Sequence, residues 1–241
     1  MTEAVSRRCV VAHRYAAYFA PATGSPWWEA GSHWLGRCAA RGQLLPQPAI
    51  EGMPPARQQA LTAAPRRYGW HATLKAPFAL PSHLDARSLR SGIRHICNAW
   101  EPFDMPALAV VRLDDFLALV PAAPSRALNA LASACVTGLH AFAAPLPAAE
   151  LQRRRAAGLT PEEDALLQRW GYPFVLDRFR FHFSLSGSLR GIDEAEVQAL
   201  HAAAQRHFGA LPAQRFDAIS LFAEPEPRAD FMCIEQMALG A

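Results

Sequence analysis

Two short phrases in this 241-residue chain carry the residue types needed to move protons around a phosphorus atom. They are Arg67-Tyr68-Gly69-Trp70-His71-Ala72-Thr73-Leu74 and Arg178-Phe179-Arg180-Phe181-His182-Phe183-Ser184-Leu185. In each, a histidine is followed two residues later by a small hydroxyl residue, with an apolar residue after each. The agreement is wider than the motif, because the alignment also pairs Arg67 with Arg178, Trp70 with Phe181 and Leu74 with Leu185. Side chains alternate along a strand, so as strands the first phrase sets Gly69, His71, Thr73 and Lys75 on one face. The second sets Arg180, His182, Ser184 and Ser186 on one face. Trp70, Ala72 and Leu74, and likewise Phe181, Phe183 and Leu185, fall on the opposite faces and read as core.

Opening a cyclic phosphodiester requires a base that activates water and an acid that protonates the leaving alkoxide on the far side of phosphorus. Imidazole, with an unperturbed pKa near ~6.5, serves either role at neutral pH, and each role contributes roughly 10²–10⁴-fold. A hydroxyl beside each imidazole can donate to the non-bridging oxygens. His71, Thr73, His182 and Ser184 are therefore the candidate catalytic residues, with the acid and base roles interchangeable at this level. Lys75 and Arg180 share the parity of the histidines and are candidates for binding a second phosphate. Tyr15, Tyr68 and Phe116 have rings suited to stacking on a sugar or base. The run Arg153-Arg154-Arg155 reads as a solvated helix face that could reach a terminal phosphate from a lid.

Metal chemistry finds little support. Zinc sites take three or four ligands, and the chain holds no HExxH, CxxC or HxH pattern. Asp177, the carboxylate nearest a histidine strand, points away from His182 by alternation. Walker and Rossmann glycine patterns are absent too. The expectation is a site without metal or cofactor.

Several elements must position the two phrases. Val10 to Phe19 reads as a strand, and Ser25-Pro26 opens a helix running to about Ala40 with Gly42 as its stop. A Pro-rich stretch, 41–66, has room for one short helix over Ala56 to Ala63. Helices are expected from Asp85 to Trp100 and from Ser125 to about Phe142, with strands near Ala107 to Leu113 and Asp115 to Val120 between them. A second insertion, 143–173, contains the capping box Thr160-Pro161-Glu162-Glu163 and thus a helix from Pro161 to Trp170 ending at Gly171. A helix from Asp193 to His207 and strands near Phe216 to Ala223 and Phe231 to Leu239 close the chain. The irregular alternation points to an α+β fold with antiparallel sheets. Each insertion precedes a histidine strand, as two lids over one cleft would.

The bulk properties bound the partners. A net charge of +3 suits a small phosphorylated substrate but gives no basic track for a stable nucleic-acid partner. No apolar run is long enough for a membrane helix. Five scattered cysteines argue for reduced thiols and a cytoplasmic setting. His13 and Arg14 interrupt the apolar stretch after Arg7-Arg8, so no signal peptide is expected. A monomer is the favoured state.

The doubled phrase resembles the H-x-[S/T]-x pair of the two-histidine (2H) phosphoesterase superfamily, at His71/Thr73 and His182/Ser184. Arg14-Tyr15-Ala16-Ala17-Tyr18-Phe19-Ala20-Pro21 and Arg169-Trp170-Gly171-Tyr172-Pro173 resemble a bacterial branch named for phosphonate metabolism. The resemblance implies a single bilobed domain over 1–241: two pseudo-symmetric lobes, antiparallel sheets facing a central cleft and helices outside. It also implies metal-independent hydrolysis of a small sugar or nucleotide cyclic phosphate, phosphoribosyl 1,2-cyclic phosphate being one candidate. The alternatives are an RNA-end 2′,3′-cyclic phosphodiesterase or 2′-5′ RNA ligase-like enzyme, and a non-catalytic nucleotide or RNA binder.

Overall fold

The computed structural model describes residues 12–156 and 158–240. In chain order the elements are β1 (Arg14–Phe19), α1 (Pro26–Leu35), β2 (Arg37–Cys38), β3 (Gln43–Leu44), α2 (Pro55–Leu61), α3 (Ala63–Arg66) and β4 (Ala72–Phe78). Next come α4 (Ala86–Asn98), β5 (Phe103–Asp104), β6 (Leu108–Leu113), β7 (Phe116–Pro121) and α5 (Arg126–Gly138). Then follow α6 (Ala148–Arg155), α7 (Pro161–Trp170), β8 (Phe183–Ser184), α8 (Glu194–Phe208), β9 (Arg215–Phe216), β10 (Ala218–Glu224) and β11 (Met232–Ala238).

The α+β expectation holds, with a large antiparallel sheet of seven strands in the order β11-β10-β1-β4-β8-β7-β6. The two histidine strands are neighbours in this one sheet, joined through Ala72 opposite Phe183. That corrects the picture of separate sheets facing a cleft: the cleft lies on one face of a shared sheet. The other face is dry. Phe19, Ala72, Leu74, Phe181, Phe183 and Leu185 pack there against α1, α4, α5 and α8 in the main core. Trp70 and Phe183, the core residues beside the two histidines, stack at 4.7 Å and tie the two phrases together. Gly31 of α1 makes room for Trp70, since a Cβ there would sit 1.9 Å from its ring. Trp34 Nε1 donates to the Leu185 carbonyl at 2.8 Å, fixing the chain just beyond Ser184.

Local signals set most element ends. Thr160 and Glu163 form the expected capping box, and Gly171, at φ +77°, ends α7. Ser25 caps α1 by accepting from Trp28 N. That helix stops at Leu35, short of the expected Ala40, because Gly36 already takes the left-handed conformation (φ +77°), and the chain turns into the β2–β3 hairpin. Val10 and Val11 of the expected first strand lie outside the described residues. The histidine strands also begin later than alternation suggests. The carbonyls of Gly69 and Arg180 accept from the imidazoles of His71 and His182, each bond closing a turn onto the residue two places on. Both insertions have folded interiors, α2 and α3 in the first, α6 and α7 in the second. The four described cysteines are free. No helix among the described residues is long and apolar enough to cross a membrane.

Candidate active site

Antiparallel pairing of Ala72 with Phe183 sets the geometry of the site. Continuing that register by one residue either way puts His71 across from Ser184 and Thr73 across from His182. All four side chains line one cavity of about 380 Å³. Each imidazole is held in the same way: Nδ1 donates to the carbonyl two residues earlier, Gly69 O for His71 and Arg180 O for His182, both at 2.8 Å. A carbonyl can only accept, so Nδ1 carries the proton and Nε2 is left as the reactive nitrogen of each neutral ring. Thr73 Oγ1 lies 3.4 Å from His71 Nε2. The turn that aims His71 depends on Gly69, at φ +77°, where a Cβ would come within 2.4 Å of the Ala39 Cβ.

Burial holds both imidazoles below the ordinary histidine range. For His71 the pKa is pushed down to about 4, chiefly by loss of water and further by the charge of His182, against the Nδ1 bond to Gly69. For His182 burial is again the main cause and the Arg180 charge adds to it, opposed by the Nδ1 bond and by Asp114. Both rings are therefore neutral near pH 7 until an anion arrives. A bound phosphate would favour the imidazolium and supply the proton that an acid role needs.

The other predicted residues divide. Tyr68 and Phe116 line the cavity, their rings 6.0 Å from His71 and 5.5 Å from His182. Tyr15 does not. It is buried in the main core, and its hydroxyl accepts from Ala12 N. The β1 ring that faces the cavity is Tyr18, paired with Thr73 and stacked 3.9 Å above His71. Lys75, the chain's single lysine, is a second correction. Between Thr73 and Lys75 the β1–β4 register slips, Tyr18 pairing with Thr73 but Ala17 with Lys75. That bulge breaks alternation, and Lys75 turns under α5 to donate to Val136 O at 3.2 Å. Burial there lowers its pKa to about 8. Arg180 borders an adjoining cavity of about 170 Å³ shared with His182 and is half-exposed, paired with Asp114 at 2.6 Å.

Sequence reading missed Arg14, Tyr18 and Tyr172 as cavity residues. It named Arg153 to Arg155 only as a run, of which Arg153 and Arg154 line the cavity while Arg155 turns to Asp164. Arg14 and Arg67 share the fully buried carboxylate of Glu224. Among the described residues, no three His, Cys, Asp or Glu side chains gather in a way that could hold a metal ion.

An antiparallel α+β scaffold with a paired-histidine cavity is thus the class of protein the geometry defines. The chain belongs to the family described as protein of unknown function (DUF1045), whose model matches residues 73–232. It is 41% identical over 222 residues to a protein of Janthinobacterium sp. (strain Marseille) named ribose 1,5-bisphosphate phosphokinase PhnN, covering 91% of this chain and 49% of that one. A protein of the same name from Laribacter hongkongensis (strain HLHK9) is 37% identical over 218 residues, covering 90% and 50%. The chain spans about half the length of these curated relatives.

Proposed function

We propose that this chain is a two-histidine cyclic phosphodiesterase that hydrolyses the cyclic phosphate of a small sugar, with His71 and His182 as acid and base and no metal. The carrying observation is the matched pair of imidazoles, each with Nδ1 tied to a backbone carbonyl, each across from a hydroxyl, lining one cavity. In this reading Thr73 and Ser184 hold the non-bridging oxygens while one Nε2 takes the proton of water and the other returns one to the leaving oxygen. The 2H resemblance belongs to the same reading, with β11-β10-β1-β4 and β8-β7-β6 as its two lobes. The insertions act as lids, since Pro65 and Tyr172, from or next to their helices, reach the cavity wall.

The name of the relatives supports a substrate. Adding water to phosphoribosyl 1,2-cyclic phosphate with cleavage of the P–O2 bond leaves the phosphate on C1. The product is ribose 1,5-bisphosphate, the compound in that name, and the phosphonate-metabolism resemblance fits such a step. A phosphokinase activity for this chain is the weaker reading. The Walker glycine loop of many nucleotide kinases ends in Gly-Lys, and the one lysine here, Lys75, follows Leu74 and lies buried beneath α5.

The test is turnover, followed by phosphorus NMR, of a phosphoribosyl 1,2-cyclic phosphate, a 2′,3′-cyclic nucleotide and an RNA bearing a 2′,3′-cyclic end. The ribosyl compound should be opened fastest, to the 1-phosphate and with no loss on dialysis against a chelator. Best turnover of the RNA would install RNA-end processing instead, and activity restored only by added zinc or manganese would install a metallohydrolase. Binding without turnover of any of them would make the chain a non-catalytic binder.

A further inference from the structure

Beside the histidine pair, the same cavity carries an unspent positive charge. Arg14, Arg153 and Arg154 line it, and the carboxylates that hold them each pair with two guanidinium groups: Glu224 with Arg14 and Arg67, and Glu150 with Arg153 and Arg154. Counting these six groups leaves two cations in excess, close to the charge of one phosphate monoester dianion. The two clusters meet at one cavity, which Arg14, Arg153 and Arg154 all line. They come from different parts of the chain, β1 and α6, so their meeting is a product of the fold.

The donors are also partly free. Arg14 gives Nε to Glu224, and among the described residues its two terminal nitrogens donate to no protein group. Arg154 gives Nε to Glu150 and Nη1 to the Gly171 carbonyl, and its guanidinium lies over the Tyr172 ring at 5.6 Å. Those contacts hold both side chains in place while leaving N–H groups for a ligand, the arrangement that favours tight, oriented anion binding. Glu224 has no exposed surface and also accepts from Arg228 N, so Arg14 is anchored from behind rather than neutralised in front.

We propose that Arg14, Arg153 and Arg154 form a second anion site, which takes a terminal phosphate monoester carried by the same substrate whose cyclic phosphate sits at the histidines. This rests on the phosphodiesterase reading and deepens it: the substrate class becomes a doubly phosphorylated small sugar, and the remote phosphate fixes the ring's direction in the cavity. Held at both ends, the ring is oriented for in-line attack, so remote binding appears in kcat as well as in KM.

The experiment compares kcat/KM for ribosyl 1,2-cyclic phosphate with and without its 5-phosphate, in the wild type and in an Arg153→Gln/Arg154→Gln variant. Arg14→Lys is the second variant, chosen to keep a cation beside buried Glu224. The wild type should prefer the phosphorylated compound by about a hundredfold, as two charge-assisted contacts of modest strength would give. Each variant should cut that preference by about tenfold or more. A wild-type ratio near one, or a ratio the variants leave unchanged, overturns the second site even if both compounds are hydrolysed. If neither is hydrolysed, the catalytic reading fails by itself. Calorimetry then decides the anion site, with ribose 1,5-bisphosphate binding about tenfold or more tighter than ribose 1-phosphate, a difference lost in the arginine variants. Equal affinities overturn it.

Discussion

The His71 flank and the His182 flank are near copies in sequence and unlike in surroundings. His71 is packed under Tyr18 at 3.9 Å, follows a glycine that no other residue can replace without collision, and has its pKa pushed down to about 4. His182 meets the tilted ring of Phe116 at 5.5 Å and stands beside the half-exposed Arg180–Asp114 pair. Yet the bond that selects the tautomer is the same on both sides, Nδ1 to the carbonyl two residues back. The repeated phrase therefore sets the local geometry of each imidazole, and the neighbours brought by the fold set how readily each takes a proton. In the proposed mechanism the two groups exchange a proton in opposite senses, and such a difference would serve them well.

The largest expected effect comes from removing either imidazole. His71→Ala and His182→Ala should each lower kcat by roughly 10²–10⁴-fold while circular dichroism and melting show the fold intact. The double variant should be little worse than the poorer single one, as for groups that act as a unit. A single variant near wild-type kcat would break the two-flank mechanism.

Stability against pH sharpens the comparison further. His71 is held below its unfolded value of 6.5, so as pH falls below that value the unfolded chain binds a proton that the folded chain resists. Stability should drop across the window from about 6.5 to about 4, by at most about 3–4 kcal/mol. Urea melts of the wild type and His71→Ala at several pH values measure it, and parallel curves would contradict a depressed His71. The analogous comparison for His182 has the same sign, because its shift has the same direction.

Smaller effects separate the two turns. Gly69→Ala forces a left-handed alanine against Ala39 and should lose about 1–3 kcal/mol, with activity falling as His71 loses its aim. Arg180→Ala, at the matching position on the other flank, should change the melting stability by less than about 1 kcal/mol, since its ion pair is exposed. Equal losses in the two would mean that the flanks are held alike. The smallest change in activity is expected for Lys75→Met. With Lys75 beneath α5 and away from the cavity, kcat/KM should stay within twofold or so and stability within about 1.5 kcal/mol. A large loss of substrate affinity would return Lys75 to the site.

The sequence by itself determined the features that depend on near neighbours. The paired His-x-Thr and His-x-Ser phrases, the core parity of Ala72, Leu74, Phe181 and Phe183, and the Thr160 capping box with its Gly171 stop are all local patterns. So is the α+β alternation. Only the tertiary structure decided the features that depend on pairing between distant segments. Tyr15 and Tyr18 sit on one short strand and both fit a ring-stacking role. Which of them faces the cavity was fixed by the pairing of Tyr18 with Thr73. Alternation put Lys75 with the histidines, and one bulge between β1 and β4 reversed it, since a single extra residue inverts every later side chain. Arg14 met Arg154 because β1 and α6 converge on one cavity, and the shared Glu224 beneath Arg14 comes from β10. Periodicity along a chain carries no information on register between chain segments, so the paired imidazoles and hydroxyls were legible in the motif while their charged surroundings had to await the sheet.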